Sequence, residues 1–224
     1  QKLDLLFYGA EIVDVFRQRT FTGWIGVDHG KFVYVEEGLP PGWLRSSVKN
    51  DLSGNFVIPG LIDAHMHIES SFLTPRRFGQ AAIPHGTTAV LADPHEIANV
   101  SGKDGIEWML KESRNSPMRI YFAIPSCVPP TSSDLETTLG YIGREEVEEL
   151  SRREEIIALG EMMDCRGVLK GELRLLEVLE EAEKQDLLIE GHIPDLSGTE
   201  LSKYLSYGIG SDHTLTFPEK MEEQ

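Results

Sequence analysis

The stretch Phe56-Val57-Ile58-Pro59-Gly60-Leu61-Ile62-Asp63-Ala64-His65-Met66-His67 decides the fold. An apolar run of strand length ends in two histidines two residues apart. At the period of a strand both imidazoles leave the same face, with Cα atoms about 6.6 Å apart, so they can share one ion. Neutral imidazole suits zinc, iron, nickel or manganese. Met66 points the other way and reads as core. The segments on either side test whether other strands deliver ligands to the same end.

Downstream, apolar runs of strand length alternate with helical stretches, the pattern of βα units on a parallel sheet. Strands are expected at Thr87–Ala92, Arg119–Ile124, Ile156–Gly160, Leu187–Ile189 and Ile209–Ser211. Helices are expected at Pro75–Pro84, Gly105–Ser113, Glu145–Arg153, Leu173–Lys184 and Ser197–Tyr207, with a further helix start at Thr216–Glu219. In the fourth of these, Leu173, Leu175, Leu176 and Leu179 fall on one face. About six βα steps without closure predict a partial (β/α)8 barrel over residues 57–224, a full one needing about 250 residues. A doubly wound open sheet is the alternative, but no glycine-rich phosphate loop follows any strand.

Upstream, residues 1–56 read as a small β domain, the N-terminal part of a β-sandwich. Leu5–Tyr8, Ile12–Phe16, Trp24–Val27 and Phe32–Val35 are β-rich, Asp28-His29-Gly30 is a turn and Glu37–Gly42 a loop.

Of the seven histidines, five lie at or just past the C-terminal end of a predicted strand: His65, His67, His95, His192 and His213. Glu161 holds the matching position after the fourth strand. In a parallel barrel these ends converge on one mouth, where active sites form. A lone histidine is more often a hydrogen-bonded structural residue; five on one rim point to metal. Glu161 can span two ions with its two oxygens and make a shared water acidic. His95, in Asp93-Pro94-His95-Glu96, suits either ligation or proton shuttling. His29 and His85 fall in turns at the opposite register and are given no role.

The remaining composition narrows the function by exclusion. The net charge of −16 repels phosphate backbones and argues against nucleic acid. No apolar run reaches the roughly 18 residues of a membrane span. Cys127 and Cys165 form no CxxC pair, which suits a reducing cytoplasm and two small buried hydrophobes. The PCxxC signature of the zinc deaminases acting on nucleic acids is absent.

The segment Pro59–Ser71 resembles the first barrel strand of the amidohydrolase superfamily. Within it, Ile68-Glu69-Ser70-Ser71 and the block Ala92–Val100 are similar to the adenine deaminase family. Glu190-Gly191-His192 and Ser211-Asp212-His213 match that family's fifth and sixth strand ends, so the resemblance covers nearly the whole chain.

The resemblance implies a binuclear centre of manganese or iron, with zinc possible, in which His65 and His67 hold one ion and Glu161 bridges to a second on His192 and His213. It implies conversion of adenine and water to hypoxanthine and ammonia by metal-activated hydroxide. His95 and Glu161 would be catalytic, and Glu69, Ser71 and Glu96 would contact the purine. A glutamate at position 161, where most of the superfamily carries a carboxylated lysine, argues against a dihydroorotase-like enzyme. Two departures stand out. Thr214 occupies the place of a common glutamate, and the family's metal-binding aspartate after the eighth strand would lie beyond Gln224. The isolated chain is therefore expected to be inactive, and to need a complementary C-terminal half or a homo-oligomer. The competing readings are a fragment or metal-binding scaffold and another cyclic amidohydrolase.

Overall fold

The computed structural model describes residues 2–131, 135–214 and 217–223. Contacts divide the chain into two compact units, residues 1–60 and 61–224.

The first unit is a five-stranded sheet: β1 (Lys2–Asp14), β2 (Arg19–Asp28), β3 (Lys31–Glu37), β4 (Arg45–Asp51) and β5 (Phe56–Val57). The order is β3-β2-β1-β4, with β5 also on β1. β2 is antiparallel to β1 and β3, whereas β4 and β5 run parallel to β1. The two strands expected at Leu5–Tyr8 and Ile12–Phe16 are one strand. Gly9, which interrupts the apolar pattern, is a bulge at φ 81° where the register with β2 skips. Val15 and Phe16 leave that strand in a turn in which the Asp14 carboxylate accepts the amides of Phe16 and Arg17. β4 was not expected, because Arg45-Ser46-Ser47-Val48-Lys49-Asn50-Asp51 has no apolar alternation; pairing with β1 makes it a strand.

The second unit is a six-stranded parallel sheet: β6 (Leu61–Met66), β7 (Thr87–Ala92), β8 (Arg119–Ile124), β9 (Ile156–Met162), β10 (Leu188–Gly191) and β11 (Ser211–Asp212). The order β11-β10-β9-β8-β7-β6 follows the chain without reversal. A doubly wound sheet would reverse at a switch point, so the sheet is the curled arc of a (β/α)8 barrel, as expected.

Helices α1 (Pro75–Ala82), α2 (His95–Ser113), α3 (Arg144–Leu150), α4 (Cys165–Lys170), α5 (Leu173–Lys184), α6 (Gly198–Leu205) and α7 (Pro218–Glu223) complete the unit. Thr74 caps α1, its hydroxyl accepting the amide of Arg77, and Pro75 occupies the first turn. α5 buries Leu175, Val178, Leu179 and Ala182. The main core lies between sheet and helices, with Phe122, Ile124, Leu159, Met109, Leu110 and Val178 fully or almost fully buried.

Two helices differ from expectation. α2 begins ten residues before Gly105, at His95, and breaks at Gly102 (φ 59°, ψ −146°). The polar first segment hid the helix from periodicity. α4 was unread because its six residues include Gly167; Asp164 caps it by accepting the Gly167 amide at 2.7 Å. Of the helix start expected at Thr216–Glu219, Thr216 lies outside the described residues; α7 begins at Pro218. Among the described residues no helix is long and apolar enough to cross a membrane.

Candidate metal centre

Every barrel strand but β8 brings a histidine or a carboxylate to the C-terminal edge of the sheet. His65 is the penultimate residue of β6 and His67 lies one residue past it. His95 opens α2 three residues after β7 ends, and Glu161 is penultimate in β9. His192 and His213 each directly follow a strand, β10 and β11.

Glu161 is the hub. Its side chain is only 3% exposed, and its oxygens face different partners. Oε1 lies 3.2 Å from His95 Nδ1 and 3.6 Å from His67 Nε2. Oε2 lies 2.6 Å from His192 Nδ1 and 3.0 Å from His213 Nε2. Burial alone would raise this carboxyl, but hydrogen bonds from His213, His95 and His192 hold it far below the usual carboxylate range. Burial likewise opposes charge on His95, but Asp93, Cys127 and Glu161 drive its pKa well upward. For His65 the burial penalty is outweighed by the Glu190 carboxylate, and the shift is again upward. The pocket is electronegative and draws positive charge.

The backbone below the hub is fixed by groups that strand-end counting did not assign. Asp93 is fully buried, and its Oδ2 accepts the amide of Glu161 at 3.1 Å. Ser126 donates its hydroxyl to the Glu161 carbonyl at 2.6 Å. The Asp93 carbonyl accepts His67 Nδ1–H at 2.8 Å, which leaves Nε2 facing Glu161. Glu190, 7% exposed, lies 3.4 Å from His65 Nδ1. Asp93 and Glu190 each stand two residues before a strand-end histidine, and that spacing was the available signal. Nothing in the sequence marks Ser126. Cys127 and Cys165 are buried as expected, and burial pushes the Cys127 thiol up to about 11.

Glu69 and Ser71 lie on the turn after β6, and Glu96 in the first turn of α2. Glu69 accepts the Ile97 amide at 3.2 Å, and burial raises its carboxyl above the usual range. Glu96 accepts the Ser70 hydroxyl at 2.5 Å, while Ser71 donates its own to the Ile68 carbonyl at 2.6 Å. Thr214 donates to the Asp212 carboxylate and accepts the Ile193 amide, so it braces the loop ends beyond β10 and β11. His85 lies in a 3-10 turn before β7. His29 lies in the β2–β3 turn, where it groups with exposed Asp4 and half-buried Asp28.

The donor set fits transition-metal ions. His65, Glu161 and His213 offer ligand atoms within 4.8 Å of one another, as do His67, His95 and Glu161. Buried His65 Nε2 and Asp93 Oδ1 have no hydrogen-bond partner, a condition native interiors avoid unless a site requires it. Neutral imidazoles around a shared carboxylate supply the ligands that zinc, iron and manganese take.

A curled parallel sheet with histidines around a shared carboxylate at its strand ends has the form of a barrel metal-hydrolase scaffold. The chain belongs to the amidohydrolase family, whose family model matches residues 56–223. It is 42% identical to the adenine deaminase of Archaeoglobus fulgidus over 225 residues, covering 100% of this chain and 38% of that protein. It is 41% identical to the adenine deaminase of Methanosphaera stadtmanae over 215 residues, covering 96% of this chain and 37% of that protein. The chain thus spans 37–38% of the length of these relatives. A mutant of the atrazine chlorohydrolase TrzN from Arthrobacter aurescens TC1, complexed with zinc and atraton, shares the fold. Its TM-score is 0.66 at 14% identity, over 96% of this chain and 62% of that one. N-acyl-D-glutamate deacylase from Bordetella bronchiseptica superposes with a TM-score of 0.60 at 14% identity, over 94% of this chain and 51% of that one.

Proposed function

We propose that this chain supplies the N-terminal, metal-holding part of an adenine deaminase, which converts adenine and water to hypoxanthine and ammonia in the cytoplasm. The observation that carries the reading is Glu161, whose two oxygens each face two histidines. Identity near 40% to curated adenine deaminases supports the choice of substrate.

His65 and His67 would hold one ion and His192 and His213 a second, with Glu161 between them; manganese or iron is preferred and zinc is possible. Such ions, when bound, acidify water and stabilise negative charge developing on the substrate. The chain's own residues handle position and protons. His95 Nδ1, 3.2 Å from Glu161 Oε1, is placed to hold a proton for the amine that leaves C6. Asp93 and Ser126 hold Glu161 through its amide and carbonyl, so the carboxylate keeps its aim. Glu69, Ser71 and Glu96 are proposed to meet the purine from the turn after β6 and the start of α2.

A second reading is favoured by the 37–38% coverage of the relatives: these residues bind metal but turn over adenine only together with the part of the enzyme that those relatives carry and this stretch does not match. Metal analysis of protein purified without chelator tests the common premise. Stoichiometric metal should fall in the His65→Ala/His67→Ala double variant, and unchanged content would refute the ligand assignment. Ammonia release from adenine, with and without the remaining length of a relative, separates the two readings. Turnover by the chain alone rejects the second.

A further inference from the structure

We infer that Glu190 is a positioning residue for the metal centre, which fixes His65 with Nδ1–H toward Glu190 and Nε2 toward the metal. The inference rests on the metal reading above.

Glu190 and His192 are two residues apart around the end of β10, where successive side chains alternate between faces. The carboxylate is 7% exposed, with Oε1 3.4 Å from His65 Nδ1. Among the described residues no other side chain or backbone group hydrogen-bonds it, and its buried Oε2 has no partner. A carboxylate taken out of water is costly unless it is paired and hydrogen-bonded, and a structural one would have its lone pairs filled. Glu190 is therefore poorly placed as a stabilising residue.

Its partner explains the placement. His65 Nε2 is also buried and unpartnered, and His65 stands within 4.8 Å of Glu161 and His213 in a ligand group. An imidazole that donates from one nitrogen to a carboxylate presents the lone pair of the other, and such a partner both orients the ring and strengthens it as a ligand. His67 is held in the same sense by a different device, the Asp93 carbonyl on its Nδ1. The two histidines of the first strand thus each have an acceptor behind them. The one behind His65 carries a full charge.

The test uses purified protein and Zn(II) alone. Histidine 15N NMR of the Zn(II)-loaded protein should show His65 protonated at Nδ1; protonation at Nε2 overturns the inference without any variant. In Zn(II) titration of chelator-stripped protein, Glu190→Ala should weaken binding about 10–100-fold. Glu190→Gln keeps an acceptor oxygen and should recover part of that loss. Removal of an under-partnered buried carboxylate should leave the melting temperature of the stripped protein unchanged or higher. A merely structural residue would instead lower it, and a lower value with unchanged affinity overturns the inference. His65→Ala is the control. If it leaves Zn(II) affinity untouched, the metal reading has failed. If it lowers affinity while Glu190→Ala does not, only the role of Glu190 has.

Discussion

Asp93 and Gly160 occupy one space: a methyl group on Gly160 would overlap the Asp93 carboxylate, which lies against the strand to accept the next amide, that of Glu161. Gly160 is therefore an approach glycine, needed where a buried side chain meets a backbone closely. Gly160→Ala should displace Asp93 and release the Glu161 amide. An overpacked buried site of this kind costs about 1–3 kcal/mol, and metal content should fall with it. A variant with wild-type melting and full metal content would show that Asp93 is not needed to aim Glu161.

Glu161→Gln removes the negative charge that four imidazoles share while nearly preserving shape. The second ion is expected to be lost first, and elemental analysis per chain should fall from two toward one. Two retained ions would rule out a bridging role.

Arg174 ties down the loop after β8. Its guanidinium donates to the carbonyls of Ser126 at 3.1 Å, Ile142 at 3.3 Å and Pro129 at 3.3 Å, and burial lowers its pKa. Arg174→Lys keeps the charge but not the planar fork. With two or more carbonyls unmet, the expected loss is about 1–3 kcal/mol, or roughly 2–4 °C of melting temperature per kcal/mol in a protein of this size. Thermal melts of the two proteins decide it.

Glu181 gives a pH signature away from the metal. Its side chain, 1% exposed, accepts from Gln185, Lys184 and Arg144, and the Gln185 amide foremost holds its pKa at about 2. A carboxylate with a depressed folded pKa adds stability above its unfolded value, near 4.5, and loses it as pH falls toward the folded one. The melting-temperature gap between wild type and Glu181→Gln should be constant above about pH 5 and shrink steadily toward pH 2. A gap independent of pH across that window would contradict the assignment.

The barrel strands were legible because each is a short apolar run bounded by turn residues: β7 and β8 occupy the residues read as strands. The histidines were legible because all five stand at the same end of those runs. What periodicity misses is whatever pairing or burial imposes. β4 is a strand only because β1 is beside it. The first segment of α2, His95–Ser101, is too polar to announce itself, so His95 was placed past a strand without the helix it opens. Asp93, Ser126 and Glu190 make their contacts across strands far apart in sequence; a two-residue spacing to a histidine hints at the first and third, and nothing local marks the second.

The stacked rings of His65 and His213, 3.9 Å between centroids and 12° from parallel, belong to the two outermost strands of the sheet. Among the described residues no ladder of hydrogen bonds joins β6 to β11, so no strand pairing there obliges those ends to meet. The imidazoles at the tips of the arc act as a caliper on its curvature. Ions held by the two ends of the arc and joined through Glu161 would work as a clasp across an open span, and the stiffness they lend would be greatest at the margins. Amide exchange should slow on metal loading in β6 and β11 more than in β8, which is already held on both sides.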